Sequence, residues 1–183
     1  MTEPSLPEKV VAIHDGLRRA RIGHAFGGAL ALAYYAEPRA TIDIDLNVFV
    51  VPDEHAAVHA ALAPLGVVGE TDDAVLRRDG RCRWWWGRTP VDLFFAYDEL
   101  HEAMRDAART VPFGDATIAV LAPEHLTVCK AVFDRPKDWL DIEQILVCEV
   151  DLEIAEIERW LTRIAGPADR RTQRFGELAA ATR

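Results

Sequence analysis

Asp43 and Asp45 sit one residue apart in the run T-I-D-I-D-L-N-V-F-V. On a β-strand, the period of two puts both carboxylates on one face and Ile42, Ile44 and Leu46 on the other. Anions held this close repel, and solvent, a basic partner or a divalent cation must offset the repulsion. A third carboxylate, Asp92, lies in P-V-D-L-F-F-A-Y, where Val91, Leu93 and Phe95 share one face and Asp92 points the other way with Phe94. An aspartate in so apolar a strand is costly to bury without a partner. If the two strands are neighbours, the three carboxylates converge. Such a cluster can hold two divalent ions, neutralise a triphosphate and activate a hydroxyl for in-line attack on the α-phosphorus. Upstream, Gly27-Gly28 either forms a tight turn or lets a phosphate approach the bare backbone where a helix begins.

The elements that must position these residues can be read from spacing. Residues 7–21 have helical periodicity opened by Pro7. A short buried piece, Gly23 to Phe26, precedes the glycine pair, and A-L-A-L-A-Y-Y-A (29–36) reads as a buried helix ended by Pro38. Thr41 to Val51 is the clearest strand, and Pro52-Asp53 opens another helix. Ala74 to Arg78 and Arg81 to Trp86 flank Asp79-Gly80, a pair that favours a hairpin turn. Val91 to Ala96 is a further strand, followed by a helix through about Ala107. A second hairpin turns at Gly114-Asp115 between 109–113 and 116–120. Beyond Pro123 the pattern is helical over 123–133, 136–148 and 151–164, and after Gly166-Pro167 the tail forms a short helix or frays. These elements predict an α/β core over 1–120, a mixed central sheet flanked by helices. A C-terminal helical section over 121–183 is expected to pack against it.

Composition narrows the function classes. The chain has 183 residues and a formal charge of −9, with half its residues hydrophobic. That is long enough for a real core. The acidity excludes broad DNA or RNA wrapping but leaves room for a local basic groove. Cys82, Cys129 and Cys148 show no metal spacing and are expected as reduced core residues. No basic-then-apolar leader opens the chain, and no apolar run approaches the roughly 20 residues a membrane helix requires. A cytoplasmic protein with no membrane partner is expected.

Other charged and aromatic groups have competing explanations. R-R-D-G-R-C-R-W-W-W-G-R (77–88) can form a stacking and phosphate-contacting surface, or a hairpin with one face in the core. Arg170, Arg171 and Arg174 either steer an acceptor or solvate a terminal helix. His24 can touch substrate or sit satisfied in the core, and His55 with His59 is a weak i,i+4 pair. Trp139, Ile142, Ile145 and Leu146 make an apolar helix face. Lys137 and Asp141 are spaced as an i,i+4 ion pair, and Asp134 as a cap for the helix starting near Pro136. Lys130, on a largely apolar helix, suggests a functional cation. Ser-His-Asp, G-x-G-x-x-G and Walker A patterns are absent.

The string G-G-A-L-A-L-A-Y-Y-A-E-P-R-A-T-I-D-I-D-L, with the later Asp92, resembles the nucleotidyltransferase superfamily signature. The closer resemblance is to the AbiEii/AbiGii-type toxin family and allied uncharacterised bacterial nucleotidyltransferases. It is supported by L-A-P-E-H-L-T-V-C-K and R-P-K-D-W-L-D-I and covers roughly residues 23–148. The resemblance implies a nucleotidyltransferase fold, with Asp43 and Asp45 as a pair binding Mg²⁺ or Mn²⁺ and Asp92 as the third carboxylate. It places Gly27, Gly28, Arg39, Lys130 and Asp138 in the substrate- and phosphate-binding set. The implied reaction moves a nucleoside monophosphate from an NTP to a hydroxyl on an RNA end, a protein or a small molecule, releasing pyrophosphate. A toxin role would add an antitoxin partner. The alternatives are a noncatalytic protein-binding module of the same fold and an aminoglycoside-like small-molecule adenylyltransferase.

Overall fold

The computed structural model describes residues 3–149 and 151–182. The chain divides into two units, one of Met1–Leu30 with Ala40–Leu121 and one of Ala31–Arg39 with Ala122–Arg183. In chain order the first 121 residues form α1 (Leu6–Arg19), β1 (His24–Phe26), α2 (Gly28–Leu32), β2 (Ile44–Val48), α3 (His55–Leu62), β3 (Val67–Val68), α4 (Asp73–Asp79), β4 (Arg81–Trp86), β5 (Thr89–Phe95), α5 (Glu99–Ala107), β6 (Arg109–Phe113) and β7 (Ala116–Val120). The seven strands make one mixed sheet in the order β3-β4-β5-β2-β1-β7-β6. β2 runs parallel to β5 and β1 parallel to β7, and the other neighbours are antiparallel. Ile44, Leu46 and Val48 of β2 and Val91, Leu93 and Phe95 of β5 are buried, which fixes which way the intervening polar residues point.

The hairpin expected around Asp79-Gly80 does not form there. Residues 73–79 are helical because the Asp72 carboxylate accepts from the Ala74 and Val75 amides at 2.9 and 3.0 Å, a strong N-cap. Gly80, at φ 64°, closes the helix in the left-handed region, so the Asp-Gly pair stops a helix instead of turning a hairpin. The hairpin lies one strand later, joining β4 to β5 through Gly87-Arg88, with Gly87 at φ 58°. The buried ammonium of Lys9 on α1 ties its two sides together. It donates to the Trp86 carbonyl and to Thr89 Oγ1, both at 2.9 Å, and pairs with Glu3. The hairpin at Gly114 forms as expected.

Two segments are shorter than their composition suggests. β2 begins at Ile44, so Ile42 lies outside it and is 78% exposed, not buried with Ile44 and Leu46. α2 ends at Leu32, after which Tyr34 and Tyr35 donate to Ala31 and Leu32 in tighter turns.

The second unit contains α6 (Pro123–Phe133), α7 (Pro136–Cys148), α8 (Ile154–Ala165) and α9 (Arg170–Thr182), so the tail is a formed helix. Buried Leu126, Trp139, Ile142, Ile157, Leu161 and Phe175 supply its core. Asp134 does not cap α7. It closes α6 at φ 56° and accepts from Trp139 Nε1 at 2.8 Å, while Arg135 holds the N-cap position of α7. The three arginines of the tail are engaged within this unit. Arg170 pairs with Asp134, Arg171 with Asp169 at 2.8 Å, and Arg174 lies 4.4 Å over the Trp139 ring. Among the described residues no helix is long and apolar enough to cross a membrane.

Candidate active site

The sheet register assembles the centre of the site. Asp45 of β2 lies directly beside Asp92 of β5, and Asp92 lies directly beside Arg83 of β4. Because facing residues in a ladder share a face, the three side chains form one row across three adjacent strands. The row above is Asn47, Phe94 and Arg81. Trp84 points the opposite way and is fully buried with its ring edge-on to His59, whereas Trp85 is exposed, as the alternation of the aromatic run requires.

Asp43 precedes β2, and its carboxylate accepts from the Thr41 hydroxyl. Sequence spacing therefore brings Asp45 and Asp92 abreast on strands, while Asp43 approaches from the lead-in segment. The cation that meets this charge is one the spacing did not single out. Arg83 donates from Nε and Nη2 to the two Asp92 oxygens at 2.6 and 2.7 Å, a bidentate fork. Its guanidinium is held protonated more firmly than usual, first by these hydrogen bonds, then by the charge of Asp92, and also by Asp43 and Asp45. The signal was available in the alternation of R-C-R-W-W-W, which sends Arg81, Arg83 and Trp85 to one face.

The glycine pair serves Asp45 first. The Gly27 amide donates to the Asp45 carbonyl at 2.9 Å. Gly28 sits at φ 54°, and a Cβ there would overlap the Asp45 carboxylate. The bare backbone is thus a steric requirement of the aspartate. His24, just before the glycines, is buried, and its Nδ1–H donates to the Ile22 carbonyl at 2.9 Å. That leaves Nε2 to accept from His14 Nδ1 at 2.9 Å, and burial pushes the His24 pKa down to about 4.

The remaining expected site residues belong to the helical unit. Lys130 Nζ donates to Asp141 Oδ2 at 2.6 Å, and Arg39 reaches the same carboxylate at 3.2 and 3.3 Å. Asp141 is therefore the partner of Lys130 and Arg39, not of Lys137. Burial opposes its charge, but the hydrogen bonds and charges of Lys130 and Arg39 outweigh that and hold its pKa below the ordinary value. Asp138 is fully buried and accepts from Arg135 Nε at 2.6 Å. Among the other residues singled out, His55 bonds the Pro52 carbonyl, and Arg77 and Arg78 pair with Asp53 and Asp79. No disulfide links the cysteines; Cys148 is exposed instead of lying in the core, and burial raises the Cys82 pKa to about 11.

The donor chemistry of Asp43, Asp45 and Asp92 suits a hard, oxygen-loving divalent ion. Among the described residues no three His, Cys, Asp or Glu groups are gathered as a metal cluster. Even so, the register sets two carboxylates side by side, and a positive group already occupies one of them.

No protein-family model matches the chain. No curated protein matches it either. Solved structures do. An antigenic nucleotidyltransferase-like protein from Paracoccidioides brasiliensis aligns over 97% of this chain and 91% of its own, with a TM-score of 0.60 and 16% identity. The antibiotic-resistance factor ANT(2'')-Ia aligns over 98% and 92%, with a TM-score of 0.56 and 16% identity. The lincosamide antibiotic adenylyltransferase LnuA, solved with lincomycin bound, aligns over 79% and 98%, with a TM-score of 0.55 and 13% identity. The mixed sheet and its helices are a nucleotidyltransferase fold.

Proposed function

We propose that this chain is a nucleotidyltransferase that moves a nucleoside monophosphate from an NTP to a hydroxyl of a small molecule. The observation that carries the proposal is the in-register pair Asp45 and Asp92, with Asp43 leading into β2 and Gly28 bare above Asp45. In this reading Asp43, Asp45 and Asp92 hold Mg²⁺ or Mn²⁺, which when bound neutralises the triphosphate and sharpens the α-phosphorus as an electrophile. Asp92 takes the proton of the acceptor hydroxyl as the new oxygen–phosphorus bond forms and pyrophosphate leaves. Gly27 and Gly28 leave the backbone open to a phosphate. Arg39, Lys130 and Asp138 were expected to face substrate. Their charges are already met by Asp141 and Arg135, so the proposal draws no phosphate contact from them.

A small acceptor is favoured over RNA by the charge of the chain. A net charge of −9 opposes the approach of a long polyanion. Two of the similar structures, ANT(2'')-Ia with adenylyl-2''-tobramycin and LnuA with lincomycin, are of proteins that hold antibiotics. A toxin reading would require labelled RNA or a cognate antitoxin. The test is incubation of the purified chain with each α-labelled NTP and Mg²⁺, against aminoglycosides, lincosamides, a hydroxyl-rich metabolite panel and total RNA. Label is expected on a small molecule with wild type and on none with Asp45→Ala. Label on RNA alone would replace the acceptor class, and no transfer to any acceptor would sink the proposal.

A further inference from the structure

Asp92 has two carboxylate oxygens, and Arg83 takes both. A divalent ion that uses Asp92 cannot share that carboxylate with the fork without loss, because the two cations repel and compete for the same lone pairs. The two partners differ in exposure: Asp92 is 18% exposed and Arg83 is 53% exposed. The guanidinium can therefore swing into water on its long stem at little cost, whereas the strand holds the carboxylate in place. The ladder keeps the arginine near while it is displaced, since Arg83 and Asp92 face each other in register. A released guanidinium beside a polyphosphate would meet another acceptor whose paired oxygens suit its fork.

Resting on the nucleotidyltransferase reading of this site, we propose that Arg83 is a tethered counter-ion that occupies Asp92 until a divalent cation displaces it. It then sets the metal affinity of the site. The arginine keeps the row of carboxylates from repelling itself apart, and it raises the threshold at which metal is admitted.

The test is titration of Mn²⁺ into the nucleotide-free chain, following free Mn²⁺ by its electron paramagnetic resonance signal. Arg83→Gln is expected to bind about fivefold tighter than wild type, the factor that corresponds to the upper value for an exposed ion pair. Arg83→Lys, which keeps a charge but loses the fork, is expected to fall between them and serves also if the glutamine variant does not fold. With Asp92→Asn in place, the same glutamine substitution should change nothing, because the competition has been removed. If wild type binds Mn²⁺ and loses that binding on Asp45→Ala while Arg83→Gln binds no tighter, the counter-ion role fails and the metal site stands. If no variant binds Mn²⁺, both the counter-ion role and the metal assignment fall.

Discussion

The two units each hold a carboxylate gripped by basic side chains, in opposite circumstances. In the sheet, Asp92 is held by a half-exposed Arg83 and shares its face with Asp45. In the helices, Asp141 lies under Lys130 and Arg39, with Lys130 only 4% and Asp141 only 7% exposed. The same attraction serves different ends because burial decides whether a partner can be exchanged. A sealed pair must keep its partner or strand a charge in a poor solvent. An open pair can trade its arginine for another cation at little cost. The difference teaches that a carboxylate's availability for chemistry depends on the exposure of its partner more than on its own charge.

The comparison breaks most visibly at Lys130. Lys130→Met should cost about 3 kcal/mol of stability by urea denaturation, the low end for breaking a buried pair because Arg39 still reaches Asp141, with much of it regained in Lys130→Met/Asp141→Leu. A loss near that of a surface pair would mean that the helical cluster is as open as the sheet's.

Acid separates the buried histidines from the gripped carboxylate next. His24 is depressed to about 4 from 6.5, so the stability it contributes is complete above 6.5 and lost as pH falls toward about 4. Asp141 lies below its ordinary 3.8, so its contribution is complete above 3.8 and is lost as pH falls from there through its depressed value. Thermal melts against pH should therefore show an early loss that His24→Gln reduces, the rest belonging to His14 and His125, whose pKa values burial also lowers, and a later one that it leaves. A single transition untouched by His24→Gln would contradict the assignment.

Gly28→Ala probes the open region through its backbone. It should cost about 1–3 kcal/mol for the left-handed conformation and displace the Asp45 carboxylate, so nucleotidyl transfer falls more than the melting temperature suggests. Retained transfer would show that Asp45 need not sit where it does. Arg83→Gln should be the mildest, within about 1 kcal/mol of wild-type stability by the same denaturation. A loss on the scale of Lys130→Met would erase the distinction between the two pairs.

The carboxylates were legible in the sequence because strand periodicity and apolar neighbours leave Asp45 and Asp92 only one direction to face. The strands β2, β4, β5, β6 and β7, the second hairpin and the helices from Pro123 onward were legible for the same reason, strong hydrophobic spacing, whereas the two-residue β3 was not expected and residues 74–78, expected as a strand, are helical. The hairpin at Asp79-Gly80 was misplaced because that dipeptide suits a helix end as well as a turn. The Asp72 side chain, at the opposite end of the helix from Gly80, decides between them. The partners of Asp92 and Asp141 were not legible. Arg83 and Asp92 meet through sheet pairing, and Arg39 meets Asp141 across 102 positions, so local spacing carries no record of either. Lys137, four residues from Asp141, was the nearer candidate in sequence and is not the cation that Asp141 uses.

The turn at Gly87-Arg88, clasped by Lys9, has a consequence for how this site can be lost. Substitutions along β4 would change one side chain at a time. Deleting one residue between Trp86 and Thr89 would shift the frame in which β4 meets β5, exchanging the outward arginines for a buried tryptophan. Among diverging descendants of this chain, the length of that two-residue turn should consequently be held more tightly than its letters.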